Sequence, residues 1–204
     1  MRSRPSPGLP NSPTSGLRNS LSVYNPIAPW PRGAATKGTI VYDSVYGNTE
    51  LVARMLAQVL EEEGHSAEVV RAKDALRRPV TGDILFLGSP TRLGTMTGRM
   101  RKVVSRLDPE AWGGRSVAAF DTGMQGIIDE DGASAAAKMH DIARSRGVRV
   151  HTPVLKVGVV SIRGPLSPRW EDMVRAYVRE VLSSAAGREG QAGRHDTRSH
   201  GKPS

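Results

Sequence analysis

The run Asp43-Ser44-Val45-Tyr46-Gly47-Asn48-Thr49 gathers small polar side chains around one glycine, directly before an apolar helical stripe. Residues of these types in that place can hold an anion. The first turn of a helix leaves backbone N–H groups unpaired and carries a partial positive charge. Gly47 allows close backbone approach, and Ser44, Asn48 and Thr49 add short polar groups. The run contains neither Lys nor Arg, so a phosphate here would be held without a side-chain cation. It lacks the Gly-Lys-Ser/Thr ending of a nucleoside-triphosphate loop and the Gly-x-Gly-x-x-Gly dinucleotide pattern. An ordinary capping turn has the same composition, and this loop alone leaves both readings open.

Two more runs follow apolar segments. Gly88-Ser89-Pro90-Thr91-Arg92-Leu93-Gly94-Thr95-Met96 is a loop constrained by glycine and proline, able to present backbone N–H and C=O to a flat heterocycle. Asp121-Thr122-Gly123-Met124-Gln125-Gly126 is a second polar, glycine-containing run. Other chemistry is thinly supplied. The absence of cysteine removes disulfides, thiolate metal sites and thiol nucleophiles. The histidines (His65, His140, His151, His195, His200) show no metal-ligand spacing. No acid, base or nucleophile stands out as one that must react.

The elements that position these runs alternate. Thr39–Tyr42 is a β-prone segment, followed by a predicted helix with Leu51, Val52, Met55, Leu56, Val59 and Leu60 on its stripe and Gly64 at its end. Ala67–Val70 and Ile84–Leu87 are further strands, the latter apolar enough to be buried on both faces. A helix bearing Met96, Met100, Val103, Val104 and Leu107 precedes a fourth strand, Val117–Phe120. A modest helix over Ala133–Arg146 precedes a fifth strand within Val154–Val160. A last helix is expected from Ser167 as cap and Pro168 in the first turn, with Trp170, Met173, Val174, Tyr177, Val178, Val181 and Leu182 following. The crossover around Asp74–Arg78 is hard to read. Such alternation predicts an α/β fold whose parallel sheet is covered on both faces. These sheets bind ligands beyond the carboxyl ends of their strands, where the three polar runs fall.

The net charge of +9 raises the possibility of nucleic-acid binding. Its distribution argues against that. Residues 1–36 carry four Arg and no acid, and residues 187–204 carry four basic and two acidic groups, which leaves 21 basic and 18 acidic residues in between. Both ends are rich in Pro, Ser and Gly or in charge, and read as disordered tails flanking a domain at 37–186. No run is apolar enough to span a bilayer and no secretory pattern opens the chain, so the expected location is cytoplasmic. Trp112, Trp170 and Tyr177 read as packing residues, and Asp129-Glu130-Asp131 as a solvated loop.

Ile40 to Thr49 resembles the phosphate loop of the flavodoxin family, Ser/Thr-x-Thr-Gly-x-Thr, with Ser44, Gly47 and Thr49 matching and Tyr46 replacing the common Thr. Gly88–Met96 is similar to the family's first isoalloxazine loop, especially the Gly-x-Pro-Thr-Arg-x-Gly form of WrbA-type quinone reductases. Leu93 stands where many flavodoxins have an aromatic ring. Asp121, Thr122 and Gly123 occupy the place of the second flavin loop, and Arg163-Gly164-Pro165-Leu166 resembles a Gly-Pro-Leu turn of the family. The resemblance spans about Lys37 to Ser184 and implies a flavodoxin-like five-stranded parallel sheet, order 2-1-3-4-5. It also implies one FMN, held by Ser44, Val45, Tyr46, Gly47, Asn48 and Thr49 and by Ser89, Pro90, Thr91, Arg92, Leu93 and Gly94, with Asp121, Thr122 and Gly123 completing the site.

The function that follows from the resemblance is electron transfer by FMN at an exposed edge, to a redox partner protein or a quinone-like small molecule. Specific nucleic acid and membrane are not expected partners. Arg92, Arg99 and Arg101 near a flavin loop argue for a partner unlike the basic reductases that acidic flavodoxins serve. Without stacking aromatics, the reduction potential of the flavin should be less negative than in low-potential flavodoxins. The rival readings are an NAD(P)H:quinone oxidoreductase and an interaction protein that keeps the fold without flavin.

Overall fold

The computed structural model describes residues 35–112, 115–124 and 133–186. The expected tails lie outside the described residues, except that Ala35 and Thr36 belong to the folded part. Thr36 is buried, its N–H donates to His65 Nδ1 at 3.1 Å, and its carbonyl accepts from Ser66 N–H at 2.9 Å.

The strands β1 (Lys37–Tyr42), β2 (Ser66–Arg71), β3 (Ile84–Pro90), β4 (Ser116–Met124) and β5 (Leu155–Val159) form one sheet in the order β2-β1-β3-β4-β5. Every pairing is parallel. The expected architecture is therefore present. Parallel strands need helical crossovers, and the intervening sequence supplies α1 (Asn48–Glu62), the single turn α2 (Ala72–Ala75), α3 (Gly98–Val104), α4 (Pro109–Trp112), α5 (Ala135–Ser145) and α6 (Trp170–Ala186).

Side-chain alternation along the central strands divides the core in two. Ile40, Tyr42, Ile84, Phe86, Ala118 and Phe120 face α1 and α6, whereas Val41, Leu85, Leu87, Val117 and Ala119 face the helices α2 to α5. Leu85, Leu87 and Phe86 are all under 2% exposed, as a strand covered on both faces requires. Gly88 sits opposite Phe120 in the β3–β4 register, and a Cβ at Gly88 would lie 2.0 Å from the Phe120 ring. The ring thus lies over the glycine at the point where β3 approaches its loop. Trp112 is buried at the end of α4, and Tyr177 is buried on α6 with its hydroxyl donating to Ala119 O.

Several boundaries differ from expectation. Leu51 is 52% exposed, and Met173 is also exposed, so neither belongs to its helix's buried stripe. Met96 and Leu107 are buried but flank α3, because Thr97 caps that helix, accepting from Met100 N–H. Ser167 does not cap α6. The helix begins later, at Trp170, with its first bond from Met173 N–H to Arg169 O, so Arg169 and not Ser167 stands at the cap position. Gly64 does end α1, with φ +85 just past the cap. Among the described residues, no helix is long and apolar enough to cross a membrane.

Candidate functional site

The carboxyl ends of β1, β3 and β4 lie side by side in the sheet, and the polar runs meet there. The first run turns out of β1 into α1. Gly47 has φ +93 and occupies the N-cap of α1, where no side chain caps the helix. Its N–H is taken by Ser44 Oγ at 3.1 Å, which curls the loop, and its carbonyl accepts from Leu51 N–H at 3.0 Å. The helix therefore begins with donors that no protein side chain has claimed, and the donor set suits an anion. One carboxylate, Glu50, lies in this first turn. Arg54 (2.8 Å) and Arg71 (2.5 Å) hold it, and the Arg54 hydrogen bond lowers its pKa most, so its charge is compensated locally.

Ser44, Gly47 and Asn48 are partly buried, and Val45 and Tyr46 are exposed at the tip. Thr49 differs from the others. It is 1% exposed, and its Oγ1 lies 2.8 Å from Thr122 Oγ1 on β4. It braces the loop from below rather than facing outward. The turn after β5 packs on the same loop: Gly164, at φ +113, approaches Asn48 so closely that a Cβ would lie 2.9 Å from its Oδ1.

The second run leaves β3 at Pro90. Ser89 is buried and its Oγ accepts from Thr97 N–H at 3.0 Å. Thr97 Oγ1 in turn donates to Asp43 Oδ2 at 2.8 Å, which ties α3 to the end of β1. Thr91 N–H donates to Thr122 O at 2.8 Å. Arg92 and Thr95 exchange backbone hydrogen bonds (2.9 and 3.0 Å), with Leu93 at φ +50 and Gly94 at φ +65 between them. Positive φ at both central positions makes a type I′ turn. Leu93 stands at its tip fully exposed. Arg92 is exposed at its base, and Arg101 donates to Thr95 Oγ1 at 3.1 Å.

The third run is placed differently from the sequence reading. Asp121, Thr122 and Gly123 are not in a loop after β4 but within it, in register with Lys156, Val157 and Gly158 of β5, and all three are buried. The strand runs past Phe120 because β3 and β5 both extend far enough to pair with it. Gln125, Gly126 and the acidic Asp129-Glu130-Asp131 lie outside the described residues. Asp121 Oδ2 accepts from Thr91 Oγ1 (3.0 Å) and from Ala136 N–H (2.8 Å), and Thr91 Oγ1 accepts from Ala135 N–H at 2.8 Å. Burial raises the carboxyl's pKa, while these bonds, Ser134 and the charge of Lys156 oppose the rise.

Sequence reasoning missed the caps Thr97 and Ser134, each three residues before the N–H it accepts from, although a capping residue ahead of an apolar run was the available signal. It also missed an apolar rim. Val45, Tyr46, Leu93, Met124, Val160 and Ile162 are exposed large hydrophobics just beyond the carboxyl ends of the strands. Single exposed apolar residues carry no sequence signal. Among the described residues no cluster of His, Asp or Glu could hold a metal. His195 and His200 lie outside them.

The fold has counterparts among known proteins. The rubredoxin oxygen:oxidoreductase of Desulfovibrio gigas superposes with a TM-score of 0.58 at 15% identity, over 76% of this chain and 37% of that one, so this chain spans little more than a third of that protein. Flavodoxin 2 of Bacillus cereus superposes at 0.57 with 20% identity, covering 72% of this chain and 99% of that one. A Fusobacterium nucleatum flavodoxin bound to flavin mononucleotide superposes at 0.56 with 14% identity, over 73% and 98%. No curated protein matches. The profile of the Flavodoxin domain family matches residues 39–143, more than half of the 204 and enough to take in the phosphate-type loop, the type I′ turn and the buried Asp121: the chain belongs to the flavodoxin domain family.

Proposed function

We propose that this chain binds one FMN at the carboxyl end of its sheet and works as an electron carrier. The observation that carries the reading is the start of α1, a glycine N-cap at φ +93 with unclaimed helix donors and no lysine or arginine in the loop. That donor set fits a phosphate monoester, because backbone N–H groups and the helix dipole can hold it. Ser44 and Asn48 are placed to add side-chain contacts. The turn Arg92–Thr95 would hold the flat ring system, with Leu93 as its apolar cover and the Arg92 charge nearby. The flavin supplies electron transfer when bound; the protein binds it, orients it and tunes its potential.

The exposed Val45, Tyr46, Leu93, Met124, Val160 and Ile162 support docking of a partner over this end of the molecule. Arg92, Arg99 and Arg101 point to an acidic redox protein or a quinone-like acceptor rather than a basic reductase. The same positive charges favour a reduced, anionic flavin, so a potential less negative than in low-potential flavodoxins follows.

The test is an absorption spectrum of the purified protein after FMN addition and gel filtration. Retained flavin bands are expected. A colourless protein would overturn the reading in favour of a flavin-less interaction protein. Steady NADPH oxidation with a quinone and no added reductase would make the holoprotein an enzyme instead of a carrier.

A further inference from the structure

The flavin-facing turn does not stand on the sheet alone. Thr91, the residue just before it, is joined to two other elements by its hydroxyl, which accepts from Ala135 N–H of α5 and donates to Asp121 of β4. The same carboxylate oxygen takes Ala136 N–H. Ser134 Oγ takes Ala137 N–H at 3.2 Å. The first turn of α5 is thus capped by residues from three elements, and Asp121 is the shared acceptor. Asp121 is fully buried, with Ser134 and the charge of Lys156 beside it easing the cost of that burial. A buried carboxylate costs stability relative to a neutral residue, and no such residue is needed merely to continue a strand.

We propose that Asp121 is a positioning residue for the flavin: it does not touch the ring but clamps Thr91, and with it the Arg92–Thr95 turn, to the N-terminus of α5. The inference rests on the proposed FMN site and goes beyond it by assigning the residue that holds the turn at its working height. The family resemblance would have made Asp121 a direct flavin contact. Its burial within β4 moves it one layer down.

The clamp has a chemical signature. It acts on the ring-binding turn and leaves the phosphate loop, which is braced through Thr49 and Thr122, unaffected. Asp121→Ala and Thr91→Val each remove one half of it, and Asp121→Asn keeps an acceptor oxygen. FMN and riboflavin affinity should fall about tenfold in each of the first two, the scale of one lost charge-assisted hydrogen bond. Inorganic phosphate should bind as in wild type. The double variant should lose less than the two single losses multiplied together, because the two residues share one contact, while each also holds its own amide of α5. Asp121→Asn should restore most of the affinity. In the protein without flavin, hydrogen exchange should quicken at the amides of Arg92, Thr95, Ala135 and Ala136 in both disruptive variants.

Wild-type exchange at Arg92 and Thr95 in both variants would overturn the clamp, as would unchanged riboflavin affinity. Equal losses of phosphate and riboflavin affinity would also overturn it, since that marks general unfolding. A wild-type protein that takes up no FMN would instead refute the proposed function, and the exchange measurement would still decide whether Asp121 braces the turn.

Discussion

Thr49 and Thr122 meet hydroxyl to hydroxyl at 2.8 Å, joining residues 73 positions apart in the chain. One belongs to the first turn of α1 and the other to β4, and both are buried. The contact fixes the height of the phosphate-type loop against the sheet. Thr122→Val leaves the Thr49 hydroxyl without that partner in a buried place. A loss of about 1–3 kcal/mol in unfolding free energy is expected, measured by urea denaturation. An unchanged midpoint would show that the hydroxyls find other partners.

Gly47 gives a sharper test. A Cβ there would meet nothing within 4 Å, so the demand is on the backbone, not on space. Gly47→Val puts a β-branched residue at φ +93 and should reduce FMN affinity by roughly a hundredfold or more, because straightening the loop costs the helix donors their geometry. Gly47→Asn, which tolerates left-handed backbone better, should retain most of the affinity. Titration of FMN fluorescence quenching separates the two.

Leu93 predicts a trade between stability and binding. A leucine at φ +50 in a type I′ turn is a poor choice for folding, and asparagine suits the position. Leu93→Asn should stabilise the flavin-free protein by about 1 kcal/mol and weaken FMN binding at the same time. Thermal melts with and without FMN would show the opposite signs. Gains in both would remove Leu93 from the site.

Asp121 sets a pH dependence. Burial raises its pKa above the ordinary 3.8, so the folded protein holds this proton more tightly than the unfolded chain does. The stability tied to it is complete below the unfolded value and is lost as pH rises through the folded one. Lys156, the charge facing it from β5, limits the rise. Asp121→Asn removes the titration. Its stability relative to wild type should therefore improve as pH climbs from below the ordinary carboxyl range, as denaturation midpoints across a pH series would report. A constant difference would mean that Asp121 does not titrate there.

Much of the architecture was legible because apolar runs of strand length alternate with helical stripes. Ile84–Leu87 reads as buried from composition alone, and Gly64 marks the end of α1. The site was legible as three loops but only two are loops. Nothing local tells that β4 continues past Phe120, because strand length is set by what its neighbours offer to pair with. Ser167 looked like a cap because Ser-Pro is a common helix start, but the backbone around Val159–Leu166 pairs back on the sheet and delays α6 until Trp170. The long-range hydroxyl contacts of Thr49 and Thr91 were beyond reach for the same cause.

Gly88 and Phe120 occupy one volume between them. Neither position is free to vary by itself: a methyl at 88 evicts the ring, and a small residue at 120 leaves a hole beside a glycine. The two positions should drift through evolution as a unit, with larger residues at the first accompanied by smaller ones at the second. A designer who wishes to reshape this junction of β3 and β4 must therefore change both positions at once, and libraries that vary either position alone will sample mostly destabilised sequences.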